Sequence, residues 1–270
     1  MRDALTRYME EVTPSKRGER WEVLRISSML ENHALPLDKP MSRIDPDDFN
    51  TWRQARLRKV KPGTVLREFA VLSAVFETAR REWRWIPSNP VADVRRPSPP
   101  SHRERVITLR EIRLMLKALG YSSKPPRSIT QAVGVAFLVA LRTGMRAGEL
   151  CGLEWDRVHA DYCRLPVTKT VPRDVPLTPK AARLVNMMRG FDKRLVFGMD
   201  KRTLDALFRR ARNNAGLDGF TFHDARRTAA TMMSKKVDVL MLCRIFGWSN
   251  PKMAMTYYAP SIKDMIEKIG

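Results

Sequence analysis

The most informative stretch of the sequence is Phe246-Gly-Trp-Ser-Asn-Pro-Lys-Met-Ala-Met-Thr-Tyr-Tyr-Ala-Pro260, near the end of the 270-residue chain. Asn250 can cap a helix and Pro251 suits the first helical position, so a helix is predicted over 251–258. Two adjacent tyrosines stand near the end of this helix. Taken by itself, the pattern favours a short helix whose aromatic side chains pack into a core.

The segment Thr143-Gly-Met-Arg-Ala-Gly-Glu-Leu150 follows a strongly apolar stretch that is predicted to be a buried helix near 128–142. The Thr-Gly pair ends that helix, and a new helix is predicted to start around Arg146. Glu149 stands three residues later, on the same helix face as Arg146. A surface arginine paired with a nearby glutamate would give the same pattern.

A third segment is Phe222-His-Asp-Ala-Arg-Arg-Thr228. Thr221 and Asp224 have the spacing of a capping box, so His223 and Arg226 are predicted in the first turns of a helix, facing the same way. A helix N-terminus that carries an aligned His and Arg is a good place to bind a phosphate. The alternative is a structural histidine beside a solvated arginine.

The only convincing β region spans 157–178. Two strands, 162–168 and 173–177, flank a turn that contains Pro172. Lys169 lies at this hairpin, where a lysine is ordinarily just a solvated turn residue.

Together these segments supply six residues whose order, with gaps of 23, 54, 3, 22 and 9 residues, resembles the active-site set of the tyrosine recombinases and phage integrases. The family has His or Trp nine residues before its nucleophilic tyrosine, and here Trp248 precedes Tyr257 by nine. The resemblance covers the whole of residues 106–270, the second predicted domain. It is weaker over residues 1–95, which look like the family's helical core-binding domain. The six residues are Arg146, Lys169, His223, Arg226, Trp248 and Tyr257.

The resemblance implies that Tyr257 attacks a DNA phosphodiester and forms a covalent 3′-phosphotyrosyl bond. A tyrosine hydroxyl has a pKa of about 10, so it is a poor nucleophile at neutral pH unless it is assisted. The attack adds negative charge to the non-bridging oxygens. Two fixed guanidinium groups, those of Arg146 and Arg226, would stabilise that charge.

Three more residues would complete the site that the resemblance implies. Lys169 would protonate the departing 5′ oxygen, and His223 would accept or relay the proton around Tyr257. The indole N–H of Trp248 would donate one further hydrogen bond to the phosphate. Glu149 would orient the arginine region without transferring a proton.

No cofactor is predicted. The covalent intermediate conserves the energy of the broken phosphodiester, so religation needs neither ATP nor a metal ion. The sequence agrees, because it has no Gly-rich phosphate loop and no tight carboxylate cluster for Mg²⁺. Two alternatives stay open: a catalytically silent DNA-binding relative, and a type IB topoisomerase or telomere resolvase.

The formal net charge is +21, from 50 Lys and Arg against 29 Asp and Glu. Such an excess favours a polyanionic partner, and nucleic acid is the commonest one. Residues 51–67 hold six basic side chains and no acidic one; we call this stretch the basic run. It is predicted to contact the DNA backbone through Arg53, Arg56, Lys59, Lys61 and Arg67.

The predicted fold class is mainly α, with two domains. Residues 1–95 are predicted to form a helical core-type DNA-binding domain, residues 96–105 a linker, and residues 106–270 a catalytic domain with a small antiparallel β-sheet and a C-terminal helical tail. The linker prediction rests on three prolines and strong charge with no apolar anchor. Helices are predicted near 2–12, 20–33, after Asp45-Pro46, after Pro62-Gly63, and near 108–119, 128–142, 179–189, 201–215, 222–235, 238–246 and 251–258.

The resemblance also implies partners. Tails of this kind dock between neighbouring protomers in the family, so a homotetramer on two DNA duplexes is expected, weakly associated without DNA. Accessory DNA-bending or directionality proteins are candidate further partners. Many integrases carry an additional N-terminal domain for arm-type sites, and this sequence begins almost at the first core-binding helix, as in a minimal or truncated recombinase.

The cellular location is predicted from cysteines and hydropathy. Three cysteines without a Cys-x-x-Cys pair, and a charged N-terminus, fit the reducing cytoplasm of a bacterial or phage-infected cell, in association with the nucleoid. The most apolar stretch, 129–141, is too short to span a bilayer, and no membrane partner is expected.

Overall fold

The computed structural model describes residues 1–31, 34–99, 105–166, 172–258, 262 and 266. The chain forms two compact units, Met1–Arg103 and Glu104–Gly270, each with its own hydrophobic core. In the described ranges, no helix is both long and apolar enough to cross a membrane.

The first unit is helical. Its α-helices are α1 (Arg2–Glu11), α2 (Glu19–Leu30), α3 (Pro46–Leu57) and α4 (Pro62–Arg81). These correspond to the four predicted helices, and each lies within two to three residues of its predicted bounds.

Helix α3 begins where its sequence signal predicts. The Asp45 carboxylate accepts hydrogen bonds from the backbone N–H groups of Asp47 and Asp48, and the Asp48 carboxylate accepts one from the N–H of Asp45. This capping box satisfies N–H groups that have no partner inside the helix.

Helix α4 forms the centre of the first core. Apolar residues recur along α4 at helical spacing and form one fully buried stripe, and edge-to-face ring contacts join α4 to α3. The stripe consists of Val65, Phe69, Leu72, Phe76 and Ala79.

The second unit contains the remaining elements. A two-stranded antiparallel sheet pairs Tyr162 with Pro176 and Leu165 with Arg173. The elements in chain order are α5 (Leu109–Ala118), α6 (Ile129–Thr143), α7 (Ala147–Cys151), β1 (Tyr162–Leu165), β2 (Arg173–Pro176), α8 (Pro179–Asn186), α9 (Lys201–Asn214), α10 (His223–Met233), α11 (Val239–Phe246) and α12 (Pro251–Met255).

Helix α6 is the central element of this unit, and it packs against α8, α9 and α10. It is buried from Ala132 to Leu141, as its unbroken apolar sequence predicts. The predicted fold class, mainly α with a small antiparallel sheet, is confirmed.

Two local predictions need correction. Helix α12 ends at Met255, so Tyr257 and Tyr258 follow it in a turn, with both of their N–H groups donating to the carbonyl of Ala254. At the start of α10, the Thr221 hydroxyl donates to the Asp224 carboxylate instead of capping the helix. Only one of the two hydrogen bonds of the predicted capping box is therefore present, the one from the Thr221 N–H to the Asp224 carboxylate.

Three predicted segments lie wholly or partly outside the described residues. Most of the C-terminal helical tail does, since only 262 and 266 are described after 258. The same holds for residues 100–104 of the predicted linker and for 167–171 of the predicted hairpin. These segments stay predictions.

Candidate active site

Arg226 lies at the centre of the site. It projects from α10, is only 5% exposed, and donates to two backbone carbonyls, that of Gly144 at 2.5 Å and that of Phe246 at 2.7 Å. These two bonds join the end of α6, the first turns of α10 and the end of α11. The sequence predicts Arg226 as a site residue but gives no sign of this buried, bridging position.

The close approach of these elements requires a glycine at position 144. Gly144 ends α6 in the left-handed conformation, with φ +67°. A Cβ atom there would lie 2.4 Å from the ring of Phe246. Because the ring packs directly on the backbone, the Gly144 carbonyl can reach Arg226 on the neighbouring helix.

Arg146 stands directly before α7 and is held by Glu149. The Glu149 carboxylate accepts from the Arg146 backbone N–H at 2.7 Å and from its Nη1 at 2.8 Å. This is the arginine–glutamate pair that the three-residue spacing predicts. Arg146 is partly exposed, whereas the Glu149 side chain is only 3% exposed.

Glu149 has a second partner that the sequence analysis missed. Arg173, at the start of β2, makes two parallel hydrogen bonds to the two Glu149 oxygens, both at 2.8 Å. The two residues are 24 positions apart, so no helical or strand periodicity links them. The only sequence signal is a basic residue at the start of the second strand of the predicted hairpin.

Tyr257 and Trp248 form a parallel stack. Their ring centroids are 5.4 Å apart with an interplanar angle of 3°, and Trp248 stacks in turn on Phe246 at 4.7 Å. The Arg226 guanidinium lies 5.6 Å from the Trp248 ring centroid. The hydroxyl of Ser234 donates to the Tyr257 carbonyl at 2.7 Å, which fixes the turn that carries the tyrosine.

The charges in this cluster influence one another. Burial and the positive charge of Arg146 lower the pKa of Arg226 to about 9, and the Tyr257 side chain is close enough to oppose part of that shift. Arg226 is therefore still a cation at neutral pH, held in surroundings that would be stabilised by an added anion.

His223 is the first residue of α10 and presents an exposed surface. Crowding of its ring by protein atoms lowers its pKa, and Arg226 lowers it further, while Asp224 partly offsets these effects. The histidine is consequently neutral at neutral pH and can accept a proton.

A cleft of about 720 Å³ opens beside Arg146 and His223. Its far wall is α9, which contributes basic side chains together with one acidic residue, Asp205. The basic residues of α9 were not singled out in the sequence, although the helix is strongly amphipathic. Those lining the cleft are Lys201, Arg209 and Arg212.

Lys169 lies outside the described residues, as do its neighbours from 167 to 171. Five of the six predicted site residues are described. Trp248 and Tyr257 stack beside the Arg226 guanidinium, whose charge also acts on His223 and is influenced by Arg146, and Arg146 and His223 line one cleft. Among the described residues, no group of three or more His, Cys, Asp and Glu side chains could hold a metal ion.

Two residues of the basic run make contacts within the protein, and its contact with DNA stays a prediction. Arg56 makes two hydrogen bonds, at 2.9 and 2.7 Å, to Glu68, a buried acid just beyond the run. Arg53 donates to the backbone carbonyl of Arg95. Both are half-buried on the protein, whereas Arg58, Lys59, Lys61 and Arg67 are exposed.

The chain matches two family models, the phage integrase family over residues 105–263 and the phage integrase N-terminal domain over residues 18–97. A Haemophilus influenzae protein named as an integrase/recombinase is 33% identical, over 98% of this chain and 88% of the relative. The shufflon-specific DNA recombinase of Escherichia coli is 30% identical, over 94% of this chain and 67% of the relative.

Two solved structures have the same fold. A lambda integrase dimer bound to a COC′ core site aligns with a TM-score of 0.79 at 20% identity, covering 96% of this chain and 95% of that one. The Tn1549 transposon integrase in complex with a circular intermediate DNA aligns with a TM-score of 0.77 at 16% identity, covering 99% of this chain and 98% of that one.

The family models and the relatives define a tyrosine recombinase. The chain belongs to the phage integrase family, and it is a site-specific DNA recombinase of the phage or mobile-element type. The family predicted from the order of the site residues is confirmed. The alternatives, a silent DNA-binding relative or a topoisomerase-like enzyme, are not favoured.

Proposed function

We propose that this recombinase cuts and rejoins duplex DNA through a 3′-phosphotyrosyl bond on Tyr257, without a metal ion or ATP. The observation that carries the proposal is the stack of Tyr257 on Trp248 beside the buried Arg226. When a hydroxyl attacks a scissile phosphate beside a fixed cation, the cation stabilises the negative charge that grows on the phosphate.

Arg146 and Arg226 hold the non-bridging oxygens in this proposal. A guanidinium has five N–H donors, and the two carbonyl bonds of Arg226 leave others for a phosphate while they fix the plane of the group. Arg146 lines the cleft, and Nη1 is the guanidinium nitrogen that donates a hydrogen bond to Glu149. The buried carbonyls and the carboxylate thus set the direction of both arginines before DNA arrives.

The proton transfers are assigned to His223 and Lys169. His223 accepts or relays the proton of the Tyr257 hydroxyl, which its lowered pKa supports. Lys169 protonates the departing 5′ oxygen, an assignment that rests on the family resemblance. Trp248 donates its indole N–H to the phosphate, and its stacking holds the tyrosine ring.

The rate of adduct formation is expected to decline in acidic solution, with a midpoint below pH 6.5. The reason is that the His223 pKa is lowered from 6.5, so the neutral, proton-accepting form persists into mildly acidic solution. The measurement is the pH profile of single-turnover adduct formation at subsaturating protein. In His223→Gln this acidic decline should disappear, and a wild-type midpoint above 6.5 would contradict the assignment.

DNA is proposed to run along the cleft beside α9. Its basic side chains and those around the site have the charge that a phosphate backbone requires. We assign residues 106–270 as the catalytic domain, residues 1–95 as a core-type DNA-binding domain, and residues 96–105 as the linker between them.

Exposed residues of the basic run should contribute affinity that does not depend on DNA sequence. Replacing Lys59 and Lys61 by Ala should weaken binding to all duplexes alike and flatten the slope of log affinity against log salt by about 0.9 per lost contact. Fluorescence anisotropy over a salt series measures this. The control is Arg43→Ala, which changes an exposed basic residue outside the run. An unchanged slope in the double variant would show that Lys59 and Lys61 face solvent and do not contact DNA.

Arg56 should respond differently. Its loss would leave Glu68 buried without its ion-pair partner, and removing one partner of a buried pair typically costs about 3–5 kcal/mol. Arg56→Ala is therefore expected to lower the melting temperature more than it changes the salt slope. Thermal unfolding and the same anisotropy series measure the two effects, and a wild-type melting temperature with a flattened slope would place Arg56 on the DNA instead.

The working unit is proposed to be a homotetramer on two duplexes, assembled on DNA. One fold relative is a lambda integrase tetramer bound to a Holliday junction, with a TM-score of 0.78 and 21% identity. Accessory DNA-bending or directionality proteins would act on this assembly. An enzyme of this kind would work in the bacterial cytoplasm, on the nucleoid or on phage DNA.

The test of the proposed function is covalent capture. A pool of randomised duplexes carrying a nick, from which the released strand diffuses away, is incubated with the protein in EDTA. We expect adducts that survive denaturant, an enriched DNA site, and a single modified tyrosine by peptide mapping. Adduct formation that EDTA abolishes and Mg²⁺ restores would contradict the mechanism.

A further inference from the structure

The Arg173–Glu149 pair is the most buried ion pair among the described residues of this unit. The two side chains are 7% and 3% exposed, and both Glu149 oxygens accept hydrogen bonds from Arg173. Arg173 also donates from Nε to the carbonyl of Ile245 at 3.0 Å. One guanidinium therefore connects β2, the residue that holds Arg146, and the end of α11.

The backbone after α11 closes tightly on Arg173. Gly247 has φ +62°, and a Cβ atom there would lie 2.9 Å from Cδ of Arg173. The next residue is Trp248, on which Tyr257 stacks. The position of the Arg173 side chain is thus defined from two sides, by Glu149 and by the turn that leads to Trp248.

Burial of such a pair needs a reason beyond stability. Two buried charges lose their hydration, and an apolar pair of the same volume often stabilises a fold equally well or better. Burial alone would raise the pKa of Glu149, but hydrogen bonds from Arg173 and from Arg146 bring that pKa below its ordinary value. Glu149 is therefore an anion at neutral pH, flanked by two cations.

The charges decide what Arg146 can do. Glu149 carries one negative charge, and Arg173 compensates it with two hydrogen bonds. Arg146 makes only one side-chain hydrogen bond to it. Without Arg173, Arg146 would be the only cation among the described residues that is hydrogen-bonded to the buried carboxylate, and the attraction would draw Arg146 fully onto it. The positive charge available to a phosphate in the cleft would be cancelled.

We propose that Arg173 is a positioning residue that neutralises Glu149 and so keeps the charge of Arg146 available to the scissile phosphate. This inference rests on the proposed function, because it takes Arg146 as a phosphate ligand. Arg173 itself touches neither the phosphate nor the reacting tyrosine in this role.

The test compares three variants with the wild-type protein. Arg173→Met removes the compensating charge, and Arg173→Met combined with Glu149→Gln removes both charges. The matched control is Arg164→Met on the same hairpin, whose partner Asp174 is exposed. Each is assayed for melting temperature, for DNA affinity by anisotropy, and for single-turnover adduct formation on the DNA site that covalent capture enriches, called the captured site below.

Arg173→Met should slow adduct formation about 100-fold, the usual scale for losing one charge-stabilising group at a reacting centre, with DNA affinity changed by less than about threefold. The double variant should recover at least about tenfold of that loss. The reason is that a neutral amide side chain at position 149 no longer competes with the phosphate for Arg146. Arg164→Met should react at the wild-type rate.

Rescue separates positioning from packing. A purely structural ion pair predicts that the double variant reacts no faster than Arg173→Met, and that result would overturn the proposal, as would a wild-type rate in Arg173→Met. If Arg173→Met is too unstable to assay, the double variant decides: a rate within about tenfold of wild type supports the proposal and a larger loss overturns it. Absence of a Tyr257 adduct in the wild-type protein and in Arg164→Met would instead refute the proposed function.

Discussion

Tyr257→Phe should abolish the covalent protein–DNA adduct while the fold and DNA binding are retained. The change removes a single hydroxyl oxygen, and the ring can keep its parallel stack on Trp248. The carbonyl of residue 257 can still accept the hydrogen bond from the Ser234 hydroxyl, because the acceptor is a backbone atom that the substitution leaves unchanged. Without the nucleophile, no phosphotyrosyl bond can form, so the loss should be complete within detection.

Tyr258→Phe is the matched control. Both tyrosines are half-buried and follow α12 in the same turn, with N–H groups on the same carbonyl of Ala254. Of the two, Tyr257 belongs to the ring stack that lies beside Arg226. Tyr258→Phe should therefore keep cleavage, measured by adduct capture on the nicked duplex. An adduct on Tyr258, or one that persists in Tyr257→Phe, would reassign the nucleophile.

The sequence predicts best where one local rule is sufficient. The stripe of α4 repeats at helical spacing, and the Asp45-Pro46 start of α3 satisfies its own N–H groups within three residues. The Arg146–Glu149 pair is likewise visible because its two members are one helical turn apart. In each case the interacting groups are neighbours in the chain.

Long-range contacts were not predictable from this sequence. Arg173 reaches Glu149 across 24 residues, and Glu68 captures Arg56 from the next helix. The basic run therefore looked uniformly available for DNA when one of its arginines already had a buried partner. Helix α12 was predicted too long because nothing in Thr256-Tyr257-Tyr258 forbids a helix; the hydrogen bond from Ser234 that fixes the turn comes from another element.

Arg226 combines both situations. Its position four residues after Phe222, within the Phe222–Thr228 segment, marks it as a predicted site residue. Its orientation, however, depends on two carbonyls that lie 82 and 20 residues away in the chain. Those carbonyls can approach because Gly144 packs against the ring of Phe246. The arginine thus joins these elements, and in the proposed mechanism it also orients the phosphate.

Arg226→Lys should slow adduct formation by about 100- to 1000-fold, although it conserves the formal charge. A lysine ammonium cannot reproduce the planar fork that bridges two carbonyls and still faces a phosphate. The same surroundings lower the Arg226 pKa to about 9, and a similar lowering of the ordinary lysine pKa of about 10.4 would leave the lysine partly neutral near pH 7.

Arg227→Lys is the control for Arg226→Lys, since it makes the same chemical change one residue along α10. Arg227 forms an ion pair with Asp224 at 3.8 Å and takes no part in the carbonyl bridge. Its replacement should change the rate by less than about tenfold, because no group that stabilises the transition state is removed. Single-turnover adduct formation with the captured site measures both variants, and melting temperatures exclude unfolding. If Arg226→Lys reacts as fast as Arg227→Lys, the phosphate is held elsewhere and the bridging arginine is a structural residue of the fold.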